Sequence, residues 1–177
     1  MRILFIGNSH TYFNDMPAMF QQECVKHGVP ADITVLCRGG KGLDDHAEEE
    51  QTRLNILYGR YDWVILQHKA HPMGSKSAMF SGARRINAWI HQAGSRALLY
   101  QTWTRKGDEA GQEAMSVRYQ QLGEALNCPV APVGDRWQQL RLEHPDWELY
   151  DPDGGHASPL GSRLAAQVLC EALLANT

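Results

Sequence analysis

The chain predicts a three-layer α/β sandwich around a parallel sheet of about five strands. Two observations carry this. Short apolar, strand-like runs alternate with longer stretches of helical periodicity along the 177 residues, which implies βαβ units with right-handed crossovers. The first run, Ile3 to Ile6, is continuously apolar, as in a strand covered on both faces.

The elements follow in order. After the first strand, Pro17 suits a first helical turn, Met19, Phe20 and Cys24 continue the apolar pattern, and Gly28 is a natural stop. Residues 31–36, ADITVL, form the second strand, and residues 43–59 read as one helix, polar on one side and ended by Gly59. DWVILQ (62–67) is strand three, 77–94 is a helix closed by Gly94, and RALLYQ (96–101) is strand four. A helix over 113–126 leads to a short fifth strand at 128–134, where Pro129 and Pro132 favour a sheet edge. A short helix covers 135–145. The last helix has Ser158 as N-cap, Pro159 in its first turn, and an apolar face of Leu160, Leu164, Val168, Leu169 and Leu173. No repeat, low-complexity segment or linker interrupts this pattern, so residues 1–177 read as one domain.

Composition narrows the function classes. The chain is 43% hydrophobic and 21% charged with a net charge of -3, which is globular and argues against a nucleic-acid or polyanion binder. Its densest basic pairs, Arg84-Arg85 and Arg105-Lys106, read as solvated surface. Cys24, Cys37, Cys128 and Cys170 are far apart with no C-x-x-C spacing; they read as buried free thiols, which fits a reducing compartment and a cytoplasmic protein. No apolar stretch approaches the roughly 20 residues of a membrane span, so no membrane partner is expected.

In parallel sheets ligands bind beyond the carboxyl ends of the strands, and the loops expected there carry reactive side chains. Gly7-Asn8-Ser9-His10-Thr11 follows strand one, and CRGGKGLDDH (37–46) follows strand two. QHKAHPMG (67–74) follows strand three, QTWTRKGDEAG (101–111) follows strand four, and LYDPDGGHASPLG (149–161) precedes the last helix. Each is weak alone: Ser9 by position is a turn residue, and His156 a surface histidine. Together they offer a nucleophile and a base. A serine hydroxyl needs a neighbour to take its proton and a third group to fix that neighbour's tautomer. Asp153 and His156, three residues apart, can sit on one turn, with Asp151 the rival orienter. Donors for an oxyanion are available in the Ser9 N–H, an N–H from Gly39 or Gly40, and the Gln67 amide. Asp44 and Asp45 read as helix-start residues, and His10 as a pocket wall. Histidines 68 and 71 lack the companions a metal site needs. Trp103 either lines the site or belongs to the core.

ILFIGNSHTYFNDMP, GGKGLDDH, YDWVILQ and DPDGGHASPLGSRLAA, in that order, resemble the blocks of the SGNH (GDSL-like) hydrolase superfamily. They look most like a branch reading Gly-Asn-Ser-x-Thr where Gly-Asp-Ser is usual. The resemblance covers residues 3 to about 166. It implies a flavodoxin-like sandwich with strand order 2-1-3-4-5, Ser9 as nucleophile, His156 as general base and acid, and Asp153 as its orienter. Gly40, with Gly39 as rival, supplies a second oxyanion donor. The family works without metal or organic cofactor. This chain lacks the Asn of a Gly-x-Asn block, so Gln67 is the substitute the resemblance suggests, with His68 or Lys69 as alternatives. The expected activity is serine ester hydrolysis of a small-molecule ester. Compact, polar loops such as KAHPMG and TWTRKG favour a small acyl group, such as acetate on a sugar or other polar alcohol. The competing class is a phosphate- or nucleotide-binding module using the strand-one loop as an anion cradle. However, neither G-x-x-x-x-G-K-[ST] nor G-x-G-x-x-G occurs, and such a module has no use for Asp153 and His156.

Overall fold

The computed structural model describes residues 1–177. Strands β1 (Arg2–Gly7), β2 (Asp32–Cys37), β3 (Trp63–Leu66), β4 (Arg96–Gln101) and β5 (Val130–Pro132) form one all-parallel sheet in the order β2-β1-β3-β4-β5. The order reverses at β1, so the crevice at its carboxyl end is the topological switch point of the sheet. Helices α1 (Ser9–Tyr12), α2 (Met16–Lys26), α3 (Leu43–Ala47), α4 (Glu50–Tyr58), α5 (Lys76–Gln92), α6 (Ala110–Leu126), α7 (Val133–Glu143) and α8 (Pro159–Leu174) connect and cover it.

The two-residue period of the strands divides the core into two layers. Ile3, Phe5, Trp63, Ile65, Leu98 and Tyr100 face α2, α7 and α8. Leu4, Ile6, Val64, Leu66, Ala97 and Leu99 face the layer built by α3 to α6. All twelve are buried, and burying each large aliphatic side chain contributes roughly 1.5–3 kcal/mol. No helix is long and apolar enough to cross a membrane.

Several boundaries differ from the sequence expectation. The helix over 43–59 is two helices, α3 and α4, separated at Glu48 and Glu49. The break lets α3 bury Leu43, His46 and Ala47 while α4 turns Thr52 and Ile56 inward; one straight helix could not present both sets. Gly82 of α5 has no side chain because α3 lies on it: a β-carbon there would stand 2.5 Å from the Leu43 carbonyl oxygen. The fifth strand is only three residues long, at the sheet edge, and α7 begins at once at Val133. Ser158 caps α8 by accepting from Gly161 N–H at 3.1 Å. Leu160 does not join the apolar face; in the first turn of α8, beyond the sheet, it is exposed, whereas Leu164, Val168, Leu169 and Leu173 are buried. All four cysteines are free, but only Cys24 and Cys170 are fully buried, facing each other across α2 and α8 at 3.6 Å. Cys37 and Cys128 are half-buried.

Candidate active site

Strand β1 delivers the chain to the switch point at Gly7, where the backbone approach is tight. A β-carbon on Gly7 would stand 2.5 Å from Gln67 Oε1 and 2.6 Å from Thr11 Oγ1. His46 Nε2 meets the Gly7 carbonyl at 2.8 Å. Asn8 then caps α1, its Oδ1 accepting from His10 N–H at 3.0 Å, while its Nδ2 donates to the Lys41 carbonyl at 2.9 Å. These bonds present Ser9 at the rim of a cleft of about 260 Å³ whose wall has Ala70 as its one apolar side chain apart from Pro72.

The opposite wall is the loop before α8. Tyr150 bridges Ala157, Asp151 N–H donates to the His156 carbonyl at 2.8 Å, and Gly154, at φ +69°, makes the turn. This closure puts Asp153 under His156. Asp153 Oδ1 accepts from the N–H groups of Gly155 (2.8 Å) and His156 (2.9 Å), and Oδ2 meets His156 Nδ1 at 2.5 Å. The hydrogen bond to the His156 ring, followed by that from Gly155, holds the Asp153 carboxyl well below the usual carboxylate range. With Nδ1 carrying the proton toward a carboxylate, Nε2 is left as the acceptor. It lies 2.8 Å from Ser9 Oγ. The imidazole stacks on Phe13 at 4.2 Å between ring centres, with His10 on another side at 5.2 Å.

The structure therefore brings Ser9, His156 and Asp153 into one hydrogen-bonded chain, and Asp151 serves the loop backbone instead. Gly40 lines the cleft at φ +71°, a conformation that favours glycine, and its N–H has no protein partner. Gly39 packs toward the Tyr12 hydroxyl, 3.2 Å from where its β-carbon would be, so Gly40 is the glycine that faces the site. The Ser9 N–H, first in its helix, has no intrahelical acceptor.

Gln67 is placed differently from the sequence expectation. It is fully buried and absent from the cleft wall. Its Oε1 accepts from Asn8 N–H (2.8 Å) and Thr11 Oγ1 (3.0 Å), and its amide donates to the His68 carbonyl. It is a strut beneath the Ser9 turn, with no donor turned to the cleft. His68 is also buried and occupied, accepting from Leu43 N–H at 3.0 Å and facing the Met73 carbonyl at 2.9 Å, with burial pushing it down to about 4. Lys69 does reach the cleft, but its ammonium is 3.2 Å from Asp44 and 3.8 Å from Asp45. Trp103 belongs to the core: it is fully buried, stacks on Trp137 at 4.0 Å, and donates Nε1–H to the Gly155 carbonyl at 2.9 Å.

The sequence placed the loops of Arg105 and His71 at strand ends and Phe13 and Asn14 beside Ser9, but not what these four side chains do. Arg105, read as solvated surface, lines the cleft, and so does His71. Burial first, and the Arg105 charge second, push His71 down to about 4. Phe13 supplies the stacking face. Asn14 ties the Ser9 turn to the His156 loop, donating to the Ala157 carbonyl at 2.8 Å and meeting Ser162 Oγ at 2.9 Å. Asn14→Ala should leave the fold in place but loosen His156 against Ser9. A fall of about tenfold or more in kcat with KM little changed, since small misplacements of reacting groups are costly, is the expected outcome of steady-state kinetics.

No protein-family model matches the chain, and no curated protein sequence matches it. Solved structures do. TesA superposes with a TM-score of 0.79 at 11% identity, covering 98% of both chains. A carbohydrate esterase family 3 protein from Talaromyces cellulolyticus gives 0.79 at 11% identity, covering 99% of this chain and 97% of its own. An acetyl esterase, seen as a serine-to-alanine mutant with acetate ion, gives 0.79 at 10% identity over 99% and 97%. At these identities the likeness is one of fold.

Proposed function

We propose that this chain, which has the fold of the SGNH (GDSL-like) hydrolases, is a serine ester hydrolase acting on a small acyl ester of a polar alcohol. The observation that carries the reading is the Ser9 Oγ to His156 Nε2 contact of 2.8 Å, backed by Asp153 at Nδ1. A flavodoxin-like anion cradle would leave that hydroxyl free for the ligand.

In this reading Ser9 Oγ attacks the ester carbonyl carbon while its proton passes to His156 Nε2. Asp153 stays ionised and stabilises the imidazolium. The carbonyl oxygen becomes an oxyanion received by the N–H groups of Ser9 and Gly40. Collapse breaks the carbon–oxygen bond to the alcohol, which leaves with the proton from His156. Water, deprotonated by the same nitrogen, then cleaves the acyl-enzyme. The polar cleft wall and modest volume favour an acyl group such as acetate, and the acetyl and carbohydrate esterases among the structural neighbours support that preference. The four free thiols support a reducing, cytoplasmic setting.

A fluorophosphonate tests this directly. Intact-mass and peptide analysis should find one phosphonyl adduct, on Ser9, formed with loss of fluoride, and His156→Ala should suppress it. No adduct, or an adduct only at other residues, would overturn the reading.

A further inference from the structure

The cleft wall contains one cation that no group of the protein neutralises. Lys69 is engaged by Asp44 and Asp45, and Lys106, next in sequence to Arg105, is engaged by Glu148 at 2.5 Å. Arg105 itself makes no ion pair and donates no side-chain hydrogen bond, although it has five N–H donors in a planar fork. It is exposed, at the rim of the cleft. The guanidinium lies beside Gly155, with Nη1 3.4 Å and Cζ 3.6 Å from where a β-carbon on that glycine would stand. His71 Cδ2 is 3.6 Å from the same point. Arg105 and His71 thus flank one spot adjacent to His156, and Gly155 keeps it open.

The histidines of this wall add to the observation. Nε2 of His71 and Nε2 of His10 are both buried without a hydrogen-bond partner, their rings 5.0 Å apart. His10 is 8% exposed. Polar atoms in such surroundings are normally satisfied; these two nitrogens are also closed off from the cleft, so the rings serve as wall, and the exposed Arg105 fork is the group open to a ligand. A second cavity, of about 500 Å³, shares Ala70, His71, Pro72 and Arg105 with the cleft and extends to Met115. A substrate therefore has room on both sides of Arg105.

We infer that the ester hydrolysed here carries a carboxylate, bound by Arg105 over Gly155. The guanidinium fork matches a carboxylate in shape and charge. A dianion suits the site less well, because the ionised Asp153 stands on the same wall, Asp108 lines the second cavity, and only one cation is unneutralised. This inference rests on the ester hydrolase reading and names the substrate class for it. The carboxylate can belong to the acyl group or to the alcohol, and the test has an arm for each.

The measurement is kcat/KM on matched pairs: 4-nitrophenyl hemisuccinate against 4-nitrophenyl butyrate, and an O-acetylated glucuronic acid against the same O-acetylated glucose. One arm should favour the anionic member by about tenfold or more, as one charge-assisted hydrogen bond supplies, mainly through KM. That ratio should fall to about one in Arg105→Gln, recover in part in Arg105→Lys, and decline with added salt. The remote surface change Arg84→Gln should leave it untouched. Equal or reversed preference in both arms, or a preference that survives Arg105→Gln, overturns the inference while hydrolysis itself stands. Absence of Ser9-dependent hydrolysis of all four esters overturns this inference and the parent reading together.

Discussion

Ser9→Ala is expected to reduce kcat on a small acetate ester by about 10⁴-fold or more, equivalent to about 5 kcal/mol or more of transition-state stabilisation. The size follows from what the hydroxyl does in the proposed route: without it there is no acyl-enzyme, and water must attack an ester held only by the remaining cleft. The fold should be indifferent, because Ser9 Oγ has a single partner, His156, in a half-buried setting. The change should also be non-additive. Once Ser9 is gone, His156→Ala has little left to remove, so the double variant should be about as slow as either single one. Steady-state rates of the two single variants and the double variant, with circular dichroism to confirm folding, decide it. Retention of more than a few per cent of activity by Ser9→Ala would remove the serine from the mechanism.

The second large effect is on stability in mild acid. Burial pushes His10 down to about 3 and both His68 and His71 to about 4, and it lowers His46 as well. In an unfolded chain each titrates near 6.5. Below about pH 6.5 the unfolded state therefore takes up protons that the native state refuses, and stability falls as pH falls. Each such histidine contributes a slope of about 1.4 kcal/mol per pH unit once its unfolded form is charged. Three together give about 4 kcal/mol per unit near pH 5, against a total stability of about 5–15 kcal/mol for an ordinary domain. Asp153 acts in the opposite sense: its lowered value makes a contribution that is present above the usual carboxylate range and lost only in stronger acid. It is half-exposed and cannot offset the histidines. Urea titrations followed by tryptophan fluorescence should show the midpoint falling steeply from pH 6.5 to 4.5, and less steeply in His10→Phe. A flat midpoint over that range would mean that the buried imidazoles are accommodated as cations.

The architecture was legible because both of its periods are written locally. A run such as Ile3 to Ile6 has the composition of a strand covered on both faces, and the five expected strands appear in the sheet, in the order that the resemblance implies. The Asp153 and His156 pairing was legible for a related reason: a three-residue spacing on one turn is a local property. The helix break at Glu48 was not, because it separates the buried residues of α3, which lies on Gly82, from those of α4, and such contacts join segments distant in sequence. Gln67 shows the same limit more sharply. Its position at the end of β3 was readable, but whether the amide turns up to the cleft or down to Asn8 and Thr11 depends on side-chain contacts that no spacing encodes. The loop carrying Arg105 was readable as a cleft wall from its place after strand four, but the side chain was not, because an arginine beside a lysine looks like surface until their separate partners are known.

The bond between Ser9 and His156 spans 147 positions of sequence, and α2 packs on α8 to bring those two ends of the chain together. Contacts of such separation are costly in loop-closure entropy and slow to form. A chain emerging from synthesis, with its sheet largely assembled, still has no base beside its serine until the final helix docks. In the proposed route activity therefore requires the segment before α8 to be docked beside Ser9, and the onset of hydrolysis during refolding would report that docking.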